Sequence, residues 1–218
     1  MNVIVIGATG RVGQETVEAL VERGHSVTAA GRNIEKIAKT EQVTPVHFDL
    51  EEDIDDLANI IKGHDAIIFT AGSRNEDLLR VDAFGVVRVA EAARRVDVRR
   101  FILLGAKWAA YPEVWNRPEI KPAIDSLREY YIAKYFADNY VMSSEDLDFT
   151  IIEPDELLET AGTGNIEINN MEPVGTPIRD VAEVLAACVE IKRTIGKVYT
   201  INSGTHSIDD TLNNKNML

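Results

Sequence analysis

Three glycines near the start of the 218-residue chain carry the first chemical signal. The run Gly7-Ala8-Thr9-Gly10-Arg11-Val12-Gly13 spaces them as G-x-x-G-x-x-G. A glycine at the first position permits a tight turn. At the second it lets a pyrophosphate approach the backbone, and at the third it lets a following helix pack closely. The run lies between the apolar stretch Asn2-Val3-Ile4-Val5-Ile6 and the amphipathic stretch Gln14-Glu15-Thr16-Val17-Glu18-Ala19-Leu20-Val21. Strand, glycine turn and helix in succession are what a dinucleotide-binding βαβ unit requires, with the N–H groups that open the helix holding the phosphates. A βα turn without a ligand would use the same glycines for shape alone.

Other groups extend that chemistry. Ser26-Val27-Thr28-Ala29-Ala30 predicts a second strand that ends at Gly31-Arg32. An acid near this point would bond a ribose 2′-hydroxyl, whereas an arginine can neutralise a 2′-phosphate. Arg32 stands where the acid would be, with Arg11 close by in the glycine turn, so NADP rather than NAD is the expected cofactor; the alternative is a solvated arginine. Asp49, after a third strand at 43–48, either accepts from an adenine amino group or caps the next helix. Tyr130 and Lys134 sit one turn apart on one helical face. Trp108, Tyr111 and Trp115 share a proline-broken loop at 106–122. A loop of that length is either a lid over substrate or an ordered connection whose aromatics fill gaps under the sheet.

The remaining chain supplies the elements that must position these groups. Apolar spacing predicts helices over 53–61, 81–96, 123–142 and 179–191, with a short helix from Asn33. Strands are predicted at 65–72, 100–104, 147–152 and 197–201, with a final turn or short helix at 207–212. Asp82, near the start of its helix, reads as helix-dipole chemistry rather than catalysis. The segment 160–175 is rich in Gly, Thr and Asn around the strand-like Ile166-Glu167-Ile168, and marks a small substrate-side lobe. The asparagine-rich last residues predict a frayed end. Strand and helix alternate throughout, which argues an α/β fold with a doubly wound parallel sheet. A single domain, 1–218, is expected, with substrate-side elements mainly at 106–122 and 153–178.

Composition narrows the partners. With 23 basic and 36 acidic side chains the formal net charge is −13, and no block of Lys and Arg interrupts it. Nucleic acid and anionic membranes are therefore not expected partners; a small-molecule substrate is. The single cysteine, Cys188, lies in an apolar helical run and reads as a core residue in a reducing compartment. No basic leader precedes the first strand and no apolar run approaches a membrane span, so a cytoplasmic protein is expected. No metal is expected. The oligomeric state, monomer or homodimer, is left open.

Taken together, these residues resemble the atypical short-chain dehydrogenase/reductase families, specifically the NmrA-like and flavin-reductase-like NAD(P)-binding proteins. The resemblance rests on the glycine turn, Gly31-Arg32, Asp49-Leu50, Ala71-Gly72, Phe101-Ile102-Leu103-Leu104, Ala133-Lys134, Phe149-Thr150-Ile151-Ile152-Glu153-Pro154 and Ile178-Arg179-Asp180-Val181-Ala182. It implies a Rossmann-type sheet with Thr9, Gly10, Arg11 and Val12 along a pyrophosphate and Arg32 at the 2′-phosphate. Asp49 and Leu50 would contact adenine, Ala71 and Gly72 the ribose, and Lys134 the nicotinamide ribose. It also implies Tyr130 as general acid, matching the Y-x-x-x-K spacing, with the lysine ammonium lowering the phenol's pKa.

Two departures stand out. Gly105 and Ala106 occupy the place where conventional relatives carry a serine or threonine to orient a carbonyl. Glu153 and Asp155 flank the proline that closes the sixth strand, where relatives carry arginine and glycine; these acids repel anions, recognise a cation or are simply solvated. The leading expectation is an NADP-dependent oxidoreductase passing hydride to a small flat acceptor, such as a flavin, quinone or carbonyl compound, under a roof of Trp108, Tyr111 and Trp115. The second is a non-catalytic NADP-sensing regulator. The third, nucleotide-sugar epimerase or dehydratase chemistry, ranks lower.

Overall fold

Apolar β-branched runs separated by amphipathic helices leave one economical solution, a sheet buried on both faces. In the computed structural model, which describes residues 1–170 and 174–214, this is how the chain folds. In chain order the elements are β1 (Asn2–Ile6), α1 (Arg11–Glu22), β2 (Ser26–Gly31), β3 (Val43–His47), α2 (Ile54–Ile61), β4 (Ala66–Phe69), α3 (Gly85–Arg95) and β5 (Arg100–Leu104). There follow α4 (Lys121–Ser126), α5 (Arg128–Met142), β6 (Asp148–Pro154), β7 (Leu157–Leu158), β8 (Asn165–Ile168), β9 (Thr176–Pro177), α6 (Ile178–Glu190), β10 (Lys197–Ser203), β11 (His206–Ser207) and α7 (Ile208–Asn213).

Nine strands form the main sheet in the order β11-β8-β10-β6-β5-β4-β1-β2-β3. The strands from β3 to β10 run parallel, and β8 adds antiparallel to β10 at the edge. This is the doubly wound arrangement expected. The chain winds outward from β1 through β2 and β3, then returns to place β4 on β1's other side. Ligand crevices form at such a reversal, beyond the carboxyl ends of the strands.

Alternation along β1 shares its side chains between two cores. Val3 and Val5 pack with α1 and α6, whereas Ile4 and Ile6 pack with α2, α3 and α5. Cys188, on α6, is fully buried in the first of these, and burial pushes its thiol up to about 11, so it is a core residue. A third, smaller cluster lies under the 106–122 loop.

Several expected elements are broken. The expected helix at 123–142 is two helices, because Leu127 between them leaves helical geometry at φ −135° and ψ 38°. The expected helix at 81–96 is α3 preceded by a π-helical turn, Leu78–Phe84. Ile34–Lys36 forms a 3₁₀ turn. Within 153–178, β7 and β9 pair beside the crevice while β8 joins the main sheet. The frayed end expected at the asparagine-rich terminus falls largely on 215–218, outside the described residues. Among the described residues no helix is long and apolar enough to cross a membrane.

Candidate functional site

Two of the three glycines are dictated by close approach at the sheet's reversal. Gly7 sits at φ +91°, and a Cβ there would lie 2.5 Å from the Ala71 amide nitrogen after β4. A Cβ on Gly13 would lie 2.2 Å from the Gly7 carbonyl oxygen, so α1 can pass this close only without one. Gly10 is less constrained, meeting only the Gly7 carbonyl at 3.2 Å. It is the N-cap of α1, with no side-chain cap and no acid in the first turn. The opening N–H groups of α1 therefore have neither a capping acceptor nor a competing carboxylate, as an anion site requires.

From this turn a cleft of about 1180 Å³ runs across the carboxyl edge of the sheet. Gly7, Thr9, Gly10, Arg11, Val12, Arg32, Asp49, Leu50, Ala71, Gly72, Tyr130 and Lys134 all line it; Gly13 does not, being behind the turn that it lets close. Four arginines border the same cleft in a chain of net charge −13. Arg11 is paired with Glu159 at 2.6 Å and Arg80 with Glu51 at 3.3 Å. Arg32 and Arg74 have no ion pair among the described residues. Asp49 Oδ1 accepts the Glu51 N–H at 3.1 Å, and Asp53, not Asp49, holds the N-cap position of α2. The capping alternative for Asp49 is thus replaced by a local turn that faces the cleft.

At the far end the side chains come from distant segments. Lys134 is buried; its Nζ donates to the Leu104 carbonyl at 3.1 Å, lies 4.0 Å from Asp82 Oδ1, and sits 5.8 Å from the centroid of the Tyr130 ring. The Tyr130 hydroxyl has no hydrogen bond among the described residues. Burial pushes its pKa up, and the charges of Asp82 and Asp138 push it further. This corrects the expectation that Lys134 would lower it: two carboxylates share the neighbourhood of the one ammonium. Asp82 is also corrected. It is 2 % exposed and bonds Ser73 rather than the first turn of a helix.

The acids near the end of β6 are not solvated. Glu153 is fully buried and accepts the N–H groups of Trp108 at 3.2 Å and Ala110 at 2.7 Å. Burial, then the nearby Asp138, raises its pKa well above the ordinary carboxylate range. Asp138 is itself fully buried with neither oxygen hydrogen-bonded among the described residues, and burial raises its pKa too. Asp155 pairs with buried Lys107 at 2.8 Å, and Lys107 also donates to Asn202 at 3.1 Å. The two sequence departures turn out to be one feature. A Cβ at Gly105 would lie 3.1 Å from Glu153 Cγ and 3.0 Å from Ile151 Cγ2. Glu153 fills the space that a side chain at 105 would use.

Trp108, Tyr111 and Trp115 do not line the cleft. Trp108 is buried among Ala109, Ile120, Ile124 and Tyr131, and Trp115 Nε1 donates to its carbonyl at 2.8 Å. Tyr111 is 40 % exposed. Between the two readings of this loop, Trp108 and Trp115 fill gaps, and Tyr111 does neither. Leu127, Tyr130 and Tyr131 bound that end of the cleft instead. Sequence reasoning missed Asp138, Tyr131 and Lys107. A signal existed for Asp138, an acid among Ala133, Ala137 and Val141 on the buried face of α5; none existed for Lys107.

Sheet order and the glycine turn define an NAD(P)-binding protein with a Rossmann-type fold. The chain belongs to the NAD(P)H-binding family whose profile matches residues 7–192. It is 33% identical to YhfK of Bacillus subtilis, named as an uncharacterized sugar epimerase, over 97% of this chain and 99% of that one. Among solved structures it is similar to the oxidoreductase ylbE of Lactococcus lactis, at a TM-score of 0.91 and 36% identity, over 97% of this chain and 95% of that one. A short-chain dehydrogenase/reductase of Veillonella parvula, solved in complex with NADP, shares the fold at a TM-score of 0.77 and 16% identity, over 95% of this chain and 97% of that one.

Proposed function

We propose that this protein is an NADP-dependent reductase that passes hydride to a small carbonyl-containing acceptor. The observation that carries the reading is a single cleft with the uncapped N-terminus of α1 at one end and Tyr130 beside Lys134 at the other. The glycine turn fits a pyrophosphate, because the first-turn N–H groups of α1 meet no acid. Arg32, without an ion pair among the described residues, is the group assigned to the 2′-phosphate. The dinucleotide, when bound, supplies the hydride.

The chain supplies position and a proton. Lys134 stands between the Leu104 carbonyl and Asp82, with its ammonium over the Tyr130 ring. Tyr130 is protonated at neutral pH and can donate to the oxygen of a reduced carbonyl, which is more basic than a phenolate; its raised pKa makes it a weaker acid than a free phenol. Proton donation matters more for a carbonyl than for an electron-poor flat ring. With Trp108, Tyr111 and Trp115 absent from the cleft wall, nothing specific favours a flavin or quinone over the carbonyl compound.

The test is NADPH oxidation against a panel of carbonyls, quinones and flavins, with calorimetry of NADP and NAD alongside. Turnover restricted to carbonyls supports the reading. NADP binding without turnover of any acceptor would favour the second reading, a dinucleotide sensor, for which the closed position at Gly105 is the supporting observation.

A further inference from the structure

The segment before α3 leaves α-helical geometry. Residues Leu78–Phe84 form a π-helical turn, whose wider winding re-aims the side chains that follow and which in proteins at large collects at functional sites. The side chain turned inward is that of Asp82, 2 % exposed. Three walls of the cleft meet at its carboxylate. Oδ2 accepts the Ser73 N–H at 3.0 Å and the Ser73 hydroxyl at 2.5 Å. Oδ1 stands 4.0 Å from Lys134 Nζ on α5 and 3.3 Å from where a side chain on Gly72 would begin. α3 starts only at Gly85, so a role as the N-terminal charge of that helix would waste these contacts. Lys134, a long flexible cation, donates a hydrogen bond to the Leu104 carbonyl. Without Asp82 its ammonium would lack a charged partner on the Gly72 side.

We propose that Asp82 is a positioning residue of the reaction end. It holds the Lys134 ammonium in the cleft and, through Ser73, fixes it relative to the Gly72–Ser73 edge on which the ribose of the dinucleotide would rest. This rests on the reading of Tyr130 and Lys134 as the acid site. Asp82 acts through Lys134 and does not itself meet the reacting atoms. The groups that face the Tyr130–Lys134 pair are Asp82 from the π-helical turn, Asp138 and Tyr131 from α5, and, through Asp138, Glu153 from β6. Of these, Asp82 is the carboxylate bonded to a second wall of the cleft.

Asp82→Asn and Ser73→Ala test this in the full-length protein. Asparagine keeps the shape and can still accept from Ser73 but offers Lys134 no charge. The expected result is a fall in kcat of about 100-fold with dinucleotide affinity, by calorimetry, changed by less than about threefold. The Tyr130 phenol, followed by ¹³C-tyrosine resonances assigned with Tyr130→Phe, should ionise at lower pH in Asp82→Asn than in the wild type, since one of the charges that oppose its ionisation is gone. Ser73→Ala keeps the charge and loosens it, so kcat should fall about tenfold with no downward move of the phenol. A folded Asp82→Asn whose kcat and phenol titration both match the wild type overturns the proposal, as does a kcat loss with an unmoved phenol, which a merely structural role would give. If Asp82→Asn does not fold, an unaltered kcat in Ser73→Ala overturns it. Should the wild type reduce no carbonyl at all, the reductase reading fails, and the phenol titration still decides the role of Asp82.

Discussion

At the end of the cleft proposed for the phosphates, the candidate groups are backbone N–H donors and solvent-facing arginines, contributed by a stretch of seven residues and the end of the neighbouring strand. At the end proposed for the reaction they are titratable side chains: buried Asp82 from the π-helical turn, Lys134 and Asp138 from α5, Lys107 from after β5 and Glu153 from β6, with partly exposed Asp155 just after it. The first end is a matter of shape. Gly7 and Gly13 are required by contacts of 2.5 and 2.2 Å that a Cβ would make, and the anion site follows from leaving a helix uncapped. The second end is a matter of charge balance in a poorly solvated place, where each unpaired carboxylate is costly unless protonated or bonded. The first end rests on backbone shape, the second on which side chains meet there.

Four experiments would sharpen or break that contrast. Gly13→Ala places its Cβ against the Gly7 carbonyl, so the turn must open; about 1–3 kcal/mol of stability should be lost together with measurable NADP binding, by thermal melts and calorimetry. Wild-type affinity in that variant would mean that the turn is not the phosphate site. Tyr130→Phe leaves the shape intact, and carbonyl reduction should fall by about 100-fold or more with NADP affinity retained. If turnover is kept, Tyr130 is a wall and not the acid.

Arg32→Glu should weaken NADP by roughly tenfold or more with NAD little affected. Equal losses for both dinucleotides would mean that Arg32 does not read the 2′-phosphate. The smallest effect concerns Glu153, whose pKa is raised in the folded protein above its ordinary 4.5. Between those two values the native state binds more protons than the unfolded chain, so stability falls as pH rises through that window. Glu153→Gln removes the titration and keeps one of the two acceptor oxygens that Trp108 and Ala110 use. The variant's melting temperature, relative to wild type, should therefore climb as pH rises above Glu153's ordinary 4.5; parallel profiles would show that Glu153 does not hold its proton.

The same contrast separates what could be read early from what could not. The glycine spacing, the β-branched runs and the helical periodicities are local, and they led to the sheet, its winding and the dinucleotide end of the cleft. The expectation for Arg32 came from its position at the end of β2 alone. The break at Leu127 and the π-helical turn were not, since both interrupt patterns whose apolar spacing continues across them. Trp108 and Trp115 were ambiguous for a related reason: a loop rich in aromatics looks alike whether it covers a substrate or fills its own small core.

Glu153 and Gly105 are the clearest case of a relation that only packing reveals. In sequence they are two unrelated departures 48 positions apart, one a missing hydroxyl and the other an added acid. In the fold a Cβ on the first would press on the side chain of the second. By itself the sequence determined the fold class and the dinucleotide-binding character of the chain, because turn sterics and hydrophobic periodicity are properties of neighbours along the chain. The tertiary structure alone decided the protonation and partners of the reaction end, because burial and the distance between charges are set by elements that meet only after folding.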